Sequence, residues 1–183
     1  MATYVALLRA VNVGGRIVSM AELRSWMTRL GMGNVRTLLQ SGNAVFETPQ
    51  SSSVQLEALL EREAEHGLGL HTEFFVRSAR EWQQIVAKNP YREQADSDPA
   101  HLVLLALKAS PGTAAGTALQ ASIAGRETIR LAGKHAYAVY PDGIGTSKLT
   151  NALIERRLGT RVTARNWNTV LKLASLVDDR GEP

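Results

Sequence analysis

Apolar residues recur along this chain with two periods, and the switches between those periods predict its elements. A short apolar run, Tyr4 to Leu8, has the length and composition of a strand and breaks at Arg9. Met20, Leu23, Met27 and Leu30 then recur at helical spacing. Ser19, with Glu22 three residues on, forms a capping-box start for that helix, and Gly31 stops it. Val35 to Leu39 and Ala44 to Phe46 read as strands joined by the turn Gln40-Ser41-Gly42-Asn43. Ser51 to His66 reads as a second helix carrying Val54, Leu56, Leu59 and Leu60, closed by Gly67 and Gly69. Leu70 to Arg77 reads as the fourth strand. The order is βαββαβ.

The second half repeats that order. A connecting helix over Ala79 to Lys88 leads to Asn89-Pro90, and the polar stretch Glu93 to Pro99 reads as a linker. His101 to Leu107 is an unbroken apolar strand. A helix runs from Pro111 to Ala124, and a hairpin over Glu127 to Leu131 and His135 to Tyr140 turns at Gly133. Ser147 to Leu158 reads as a helix capped by Ser147, and Arg161 to Ala164 as a strand. Asn166 fits the N-cap of a last helix, in which Trp167, Val170, Leu171, Ala174 and Val177 share one apolar face. The pattern predicts an α+β fold of two tandem ferredoxin-like (βαββαβ) subdomains. They span 1–78 and 100–183, with a connecting helix and linker at 79–99 and a C-terminal helix in the second.

That topology sorts the polar loops. Strands one and two of such a unit run parallel, with strand three returning between them. The loop Arg9 to Arg16 and the turn Gln40 to Asn43 therefore leave one end of the first unit. Pro141 to Lys148 and Ala164 to Thr169 leave the opposite end of the second. If those ends face each other, they form one composite cleft.

The chemistry these loops offer is anion binding. Gly14 and Gly15 can aim backbone N–H groups at negative charge, and Arg9, Arg16, Lys148 and Arg165 can add positive charge. Asn12, Gln40, Asn43, Asn151 and Asn166 can read amides, hydroxyls or base edges, and Ser41 and Asn168 join the ligand-binding candidates from the same loops. Each cluster also has a plain structural reading as a turn or a cap. Charge allows an anionic partner or a plain solvated surface: the chain carries 21 basic and 17 acidic residues, and nine of the Lys and Arg fall between Arg126 and Lys172 beside only Glu127, Asp142 and Glu155.

Other classes are excluded or weakly supported. There is no cysteine, so disulfides, thiolate catalysis and cysteine-held zinc are out. His66, His71, His101 and His135 fit no metal-ligand spacing, and neither metal nor cofactor is expected. Gly14-Gly15 lacks the Lys-Ser of a P-loop, and no GxGxxG follows the first strand. The amino terminus reads as a strand rather than a signal peptide. No apolar stretch reaches the roughly 20 residues of a membrane span, so a cytoplasmic protein with no membrane partner is expected. Nucleic acid is a weaker partner than a small anion, because the strands lack an aromatic stacking pattern. An enzyme acting on the anion through Lys148, Glu155 or Ser41 is the alternative, though no catalytic spacing supports it. A purely structural role is the third.

The stretches YVALLRAVNVGGR, MAELRSWMTRLGMGNVRTLLQSGNAVF and SKLTNALIERRLGTRVTARNWNTVLKLASL together resemble an uncharacterised bacterial family, domain of unknown function family 1697. The resemblance runs from Tyr4 to about Leu176. It implies tandem ferredoxin-like subdomains and no particular activity. The chain departs from the family at Ala10-Val11, where Gly-Ile is common, and at Ser19, where proline is common.

Overall fold

Capping and strand length set the elements. The first are β1 (Ala2–Leu8), α1 (Met20–Arg29), β2 (Gly33–Leu38), β3 (Asn43–Thr48), α2 (Ser53–Leu68) and β4 (Phe74–Ser78). α3 (Ala79–Ala87) and α4 (Arg92–Ser97) follow. Then come β5 (Leu102–Leu107), α5 (Thr113–Ala121), β6 (Thr128–Ala132), β7 (His135–Val139), α6 (Asn151–Leu158), β8 (Val162–Asn166) and α7 (Trp167–Asp178). They belong to a computed structural model that describes residues 1–9, 18–39, 41–50 and 52–179. Among the described residues the chain is α+β, with two four-stranded antiparallel sheets and seven helices. It divides into two compact units, Met1–Val86 with Lys172–Pro183, and Ala87–Leu171, so the division falls inside α7.

In the first unit the strand order is β2-β3-β1-β4. Tyr4, Ala6 and Leu8 of β1 face a core completed by Leu23, Trp26 and Met27 of α1 and Leu56, Leu60 and Ala64 of α2. Ser19 caps α1 as its spacing predicts, accepting the Glu22 N–H at 3.1 Å. α2 starts later than its serine run suggests, with Ser52 as cap, and it runs through Gly67 to Leu68. A Cβ on Gly67 would lie 2.9 Å from the Trp26 indole nitrogen, so this glycine serves helix packing rather than helix termination. Val54 is exposed, outside the apolar face expected for it. The opposite face of the sheet, with Val5, Leu7, Val45 and Phe75, is buried as well. From β2, Arg36 donates to the Leu176 and Asp179 carbonyls at the end of α7. A cation placed there offsets the negative end of the helix dipole.

The second unit has the order β6-β7-β5-β8. Val103, Leu105 and Leu107 of β5 pack with Leu119 of α5 and Ile154 and Leu158 of α6. Four details differ from the sequence pattern. Glu93 to Pro99, expected to be without regular structure, carries a short helix, α4, over Arg92–Ser97. It has no buried residue, so no hydrophobic period could reveal it. α6 begins at Asn151 with Thr150 as its cap. Ser147 instead accepts the Leu149 N–H at 3.0 Å and donates to Glu127. On α7 the buried apolar residues are Trp167, Val170, Leu173 and Val177, whereas Leu171 is 40 % exposed. At 100° per residue, Leu171 falls beyond the edge of that stripe.

Candidate functional site

The end of β1 and the β2–β3 hairpin of the first unit lie side by side. The Leu8 N–H donates to the Gly42 carbonyl at 2.8 Å. Asn43, fully buried, donates from Nδ2 to the Leu38 carbonyl (2.8 Å) and to Ser41 Oγ (2.9 Å). Those bonds brace a turn in which Leu39 takes a φ of +59°, unusual for a residue with a Cβ. Arg9 is ion-paired to Glu73 at 3.0 Å. Both partners are about a third exposed, so the pair contributes roughly 0–1 kcal/mol. Arg9, Ser41 and Asn43 are thus placed together at one sheet end. Asn12, Gly14, Gly15 and Gln40 lie outside the described residues.

In the second unit the strand registers bring two segments to one end of the sheet. Val139, the last residue of β7, is opposite Leu102, and Asn166, the last of β8, is opposite Val103. Asn166 caps α7 as expected: its Oδ1 accepts the Thr169 N–H and hydroxyl, each at 3.0 Å. Arg165 lies buried in β8 and donates to Thr163 Oγ1 and to the Ala164 carbonyl, both at 2.8 Å. Burial pushes its guanidinium down to about 10, because the charged form loses hydration. Asn168 is exposed on the first turn of α7. Asn151 is the first residue of α6, and its buried Oδ1 has no hydrogen-bond partner among the described residues.

Lys148 is the expected site residue that lines a cavity. The cavity, of about 440 Å³, lies among the residues after α5, the start of β6 and the β7–α6 segment. Ile123, Leu149 and Leu153 supply its apolar lining. Three charged groups reach it: Glu127, Asp142 and Lys148. Both carboxylates are engaged. Asp142 is held by Arg126, with Nε–Oδ2 at 3.1 Å and a second bond from Nη2 to Oδ1. That hydrogen bond and the adjoining charge raise the pKa of Arg126. Glu127 accepts the Ser147 hydroxyl. Lys148 is exposed and makes no ion pair with the described residues.

Sequence reasoning did not find Glu127, Ile123 or Leu153 as parts of a site. They are ordinary residues locally, and only tertiary packing collects them around Lys148. Among the described residues, no group of three or more His, Cys, Asp and Glu is placed to hold a metal ion. No described helix is long and apolar enough to cross a membrane.

Fold and cavity together define an α+β chain of two antiparallel four-stranded sheets, with a small mixed-polarity pocket in its second unit. By its sequence the chain belongs to the family described as Protein of unknown function (DUF1697), which matches residues 1–137. Among solved structures it is similar to the conserved bacterial protein SP0830 from Streptococcus pneumoniae. The two are 24 % identical, with a TM-score of 0.72 over 96 % of this chain and 98 % of that one. At that identity the likeness concerns the fold. The comparison with curated proteins returns no match.

Proposed function

We propose that the protein is a binding module for a small anionic ligand with an apolar body, carried on two tandem ferredoxin-like subdomains. The element order βαββαβ in each half, with strand orders β2-β3-β1-β4 and β6-β7-β5-β8, supports that architecture. The ligand seats in the cavity beside Lys148. One observation carries this reading: of the three charged groups lining the cavity, the two carboxylates already have partners, and the ammonium of Lys148 has none among the described residues. A volume of about 440 Å³ suits a ligand of metabolite size. Ile123, Leu149 and Leu153 would cover its apolar part while Lys148 meets a phosphate or carboxylate.

The test is calorimetric titration of a panel of nucleotides, phosphorylated metabolites and small carboxylates, with thermal shift as the first screen. A true ligand loses roughly tenfold in affinity in Lys148→Ala, the loss of one charge-assisted hydrogen bond. An uncharged analogue is indifferent to that change. Absence of any hit, or a hit that binds Lys148→Ala and Leu153→Trp as it binds the wild type, rejects the site.

A further inference from the structure

A sheet edge exposes backbone N–H and C=O groups that can pair with another strand, and folded proteins usually block them. In the second unit the β8 edge is blocked by a carboxylate: the Val162 N–H donates to Glu155 Oε1 at 2.9 Å. The other edge, β6, is treated differently. Its register with β7 pairs Ala132 with His135 across the two-residue turn and Arg130 with Tyr137. Thr128, Arg130 and Ala132 therefore bond inwards, and Ile129 and Leu131 present their backbone groups to the open side. The Ile129 N–H meets the neutral amide of Gln120, at 2.6 Å. No side chain of the described residues is bonded to the backbone of Leu131. Alongside this edge runs a groove of about 680 Å³ between α5 and β6, with Thr113, Gly116 and Thr117 on the helix side and Tyr91 at its margin.

We infer that β6 accepts an extended peptide as a fifth strand, seated between β6 and α5, and that the peptide alternates apolar, acidic and apolar residues. The alternation follows from the pleat. Residues opposite Ile129 and Leu131 point to the α5 side, into the groove. The residue opposite Arg130 points to the other face. Because Arg130 bonds inwards, that site is a non-hydrogen-bonded pair on the open side, the geometry in which cross-strand side chains come closest. Arg130 is exposed and has no ion pair among the described residues, so a Glu or Asp is the complementary partner. The same charge disfavours a second copy of this chain paired antiparallel about Arg130, which would set two guanidinium groups opposite each other. The peptide carbonyl takes the Ile129 N–H in place of the Gln120 amide.

The experiment uses the full chain and the peptide acetyl-Thr-Val-Glu-Val-Thr-amide, followed by amide NMR titration. Saturable binding is expected, with the largest shifts at Ile129 and Leu131. Arg130→Glu, which touches only an exposed side chain, weakens this peptide roughly fivefold and reverses the preference towards the Lys-centred analogue. N-methylation of the two valines abolishes binding. The inference is overturned if no saturable shift occurs, if Arg130→Glu leaves the Glu/Lys preference unchanged, or if light scattering shows that β6 pairs two copies of the chain instead. Arg130 is absent from the lining of the Lys148 cavity, so either site can fail alone.

Discussion

The segments α2–β4–α3 and α6–β8–α7 solve one problem twice. In each, a helix ends at a glycine in the left-handed region, Gly69 at φ +60° and Gly159 at φ +66°, a conformation that strains any residue with a Cβ. In each, a carboxylate from that helix accepts backbone N–H groups of the following edge strand. Glu61 and Glu57 take Phe74 and Val76, and Glu155 takes Val162, all at 2.9 Å. The strand then places a buried arginine one residue before its end, Arg77 or Arg165, whose Nη1 donates to the preceding carbonyl at 2.8 Å. The next residue caps a helix that buries a tryptophan, Ser78 for Trp82 and Asn166 for Trp167. The difference lies in the charges. Arg77 has the buried Glu57 at 3.5 Å, whereas Arg165 is held by the Thr163 hydroxyl. Burial lowers the pKa of both arginines, and at Arg77 first Glu57 and then Glu81 oppose that shift. The same backbone module thus sets one arginine beside a buried carboxylate and the other beside a hydroxyl.

The comparison can be broken most sharply at the tryptophans. Trp82→Ala and Trp167→Ala should each cost roughly 3–5 kcal/mol, read by denaturant unfolding, because each truncates a buried indole. Near-wild-type stability in either one would show that the two modules are not equivalent anchors.

A smaller effect separates the two carboxylates. Glu57→Ala leaves a buried guanidinium and an edge N–H without their carboxylate and should cost about 3 kcal/mol. Glu155→Ala, on a carboxylate 12 % exposed whose arginine partner Arg161 is exposed, should cost about 1 kcal/mol. Equal losses would mean that the buried ion pair adds nothing to edge protection.

The smallest effect concerns the second unit alone. Burial pushes the Tyr137 phenol up to about 12 and raises Tyr140 too. Below pH 10 these phenols are neutral folded and unfolded. Above it the unfolded chain ionises first, so stability falls as pH rises towards 12. Tyr137→Phe should make that fall shallower by on the order of 1 kcal/mol at pH 11, measured against wild type by urea unfolding. An unchanged slope would place the phenol in contact with solvent.

Much of the frame was legible in the residues. Ser19 and Asn166 lie three residues before the N–H groups they cap, a relation that sequence spacing carries whole. Unbroken apolar runs at Tyr4 to Leu8 and Leu102 to Leu107 mark the central strands, since both of their faces are buried. Where the local signal is ambiguous, the sequence cannot decide. Ser147 and Thr150 are equally good caps by type. Thr150 serves because Ser147 is drawn to Glu127, a partner twenty residues away.

The candidate site divides along the same line. Spacing and residue type single out Arg9, Lys148 and Arg165 as cations, and local rules go no further. Their surroundings come from distant chain: Glu73 pairs with Arg9, tertiary packing buries Arg165, and the α5 end and Glu127 build a cavity beside Lys148. A charge is a property of one residue. Whether it is paired, desolvated or left facing a cavity depends on which segments pack around it. Sequence alone determined the periodicity, the caps and the sign of the charges. Only the tertiary structure decided which of those charges are paired, which are desolvated and which face a cavity.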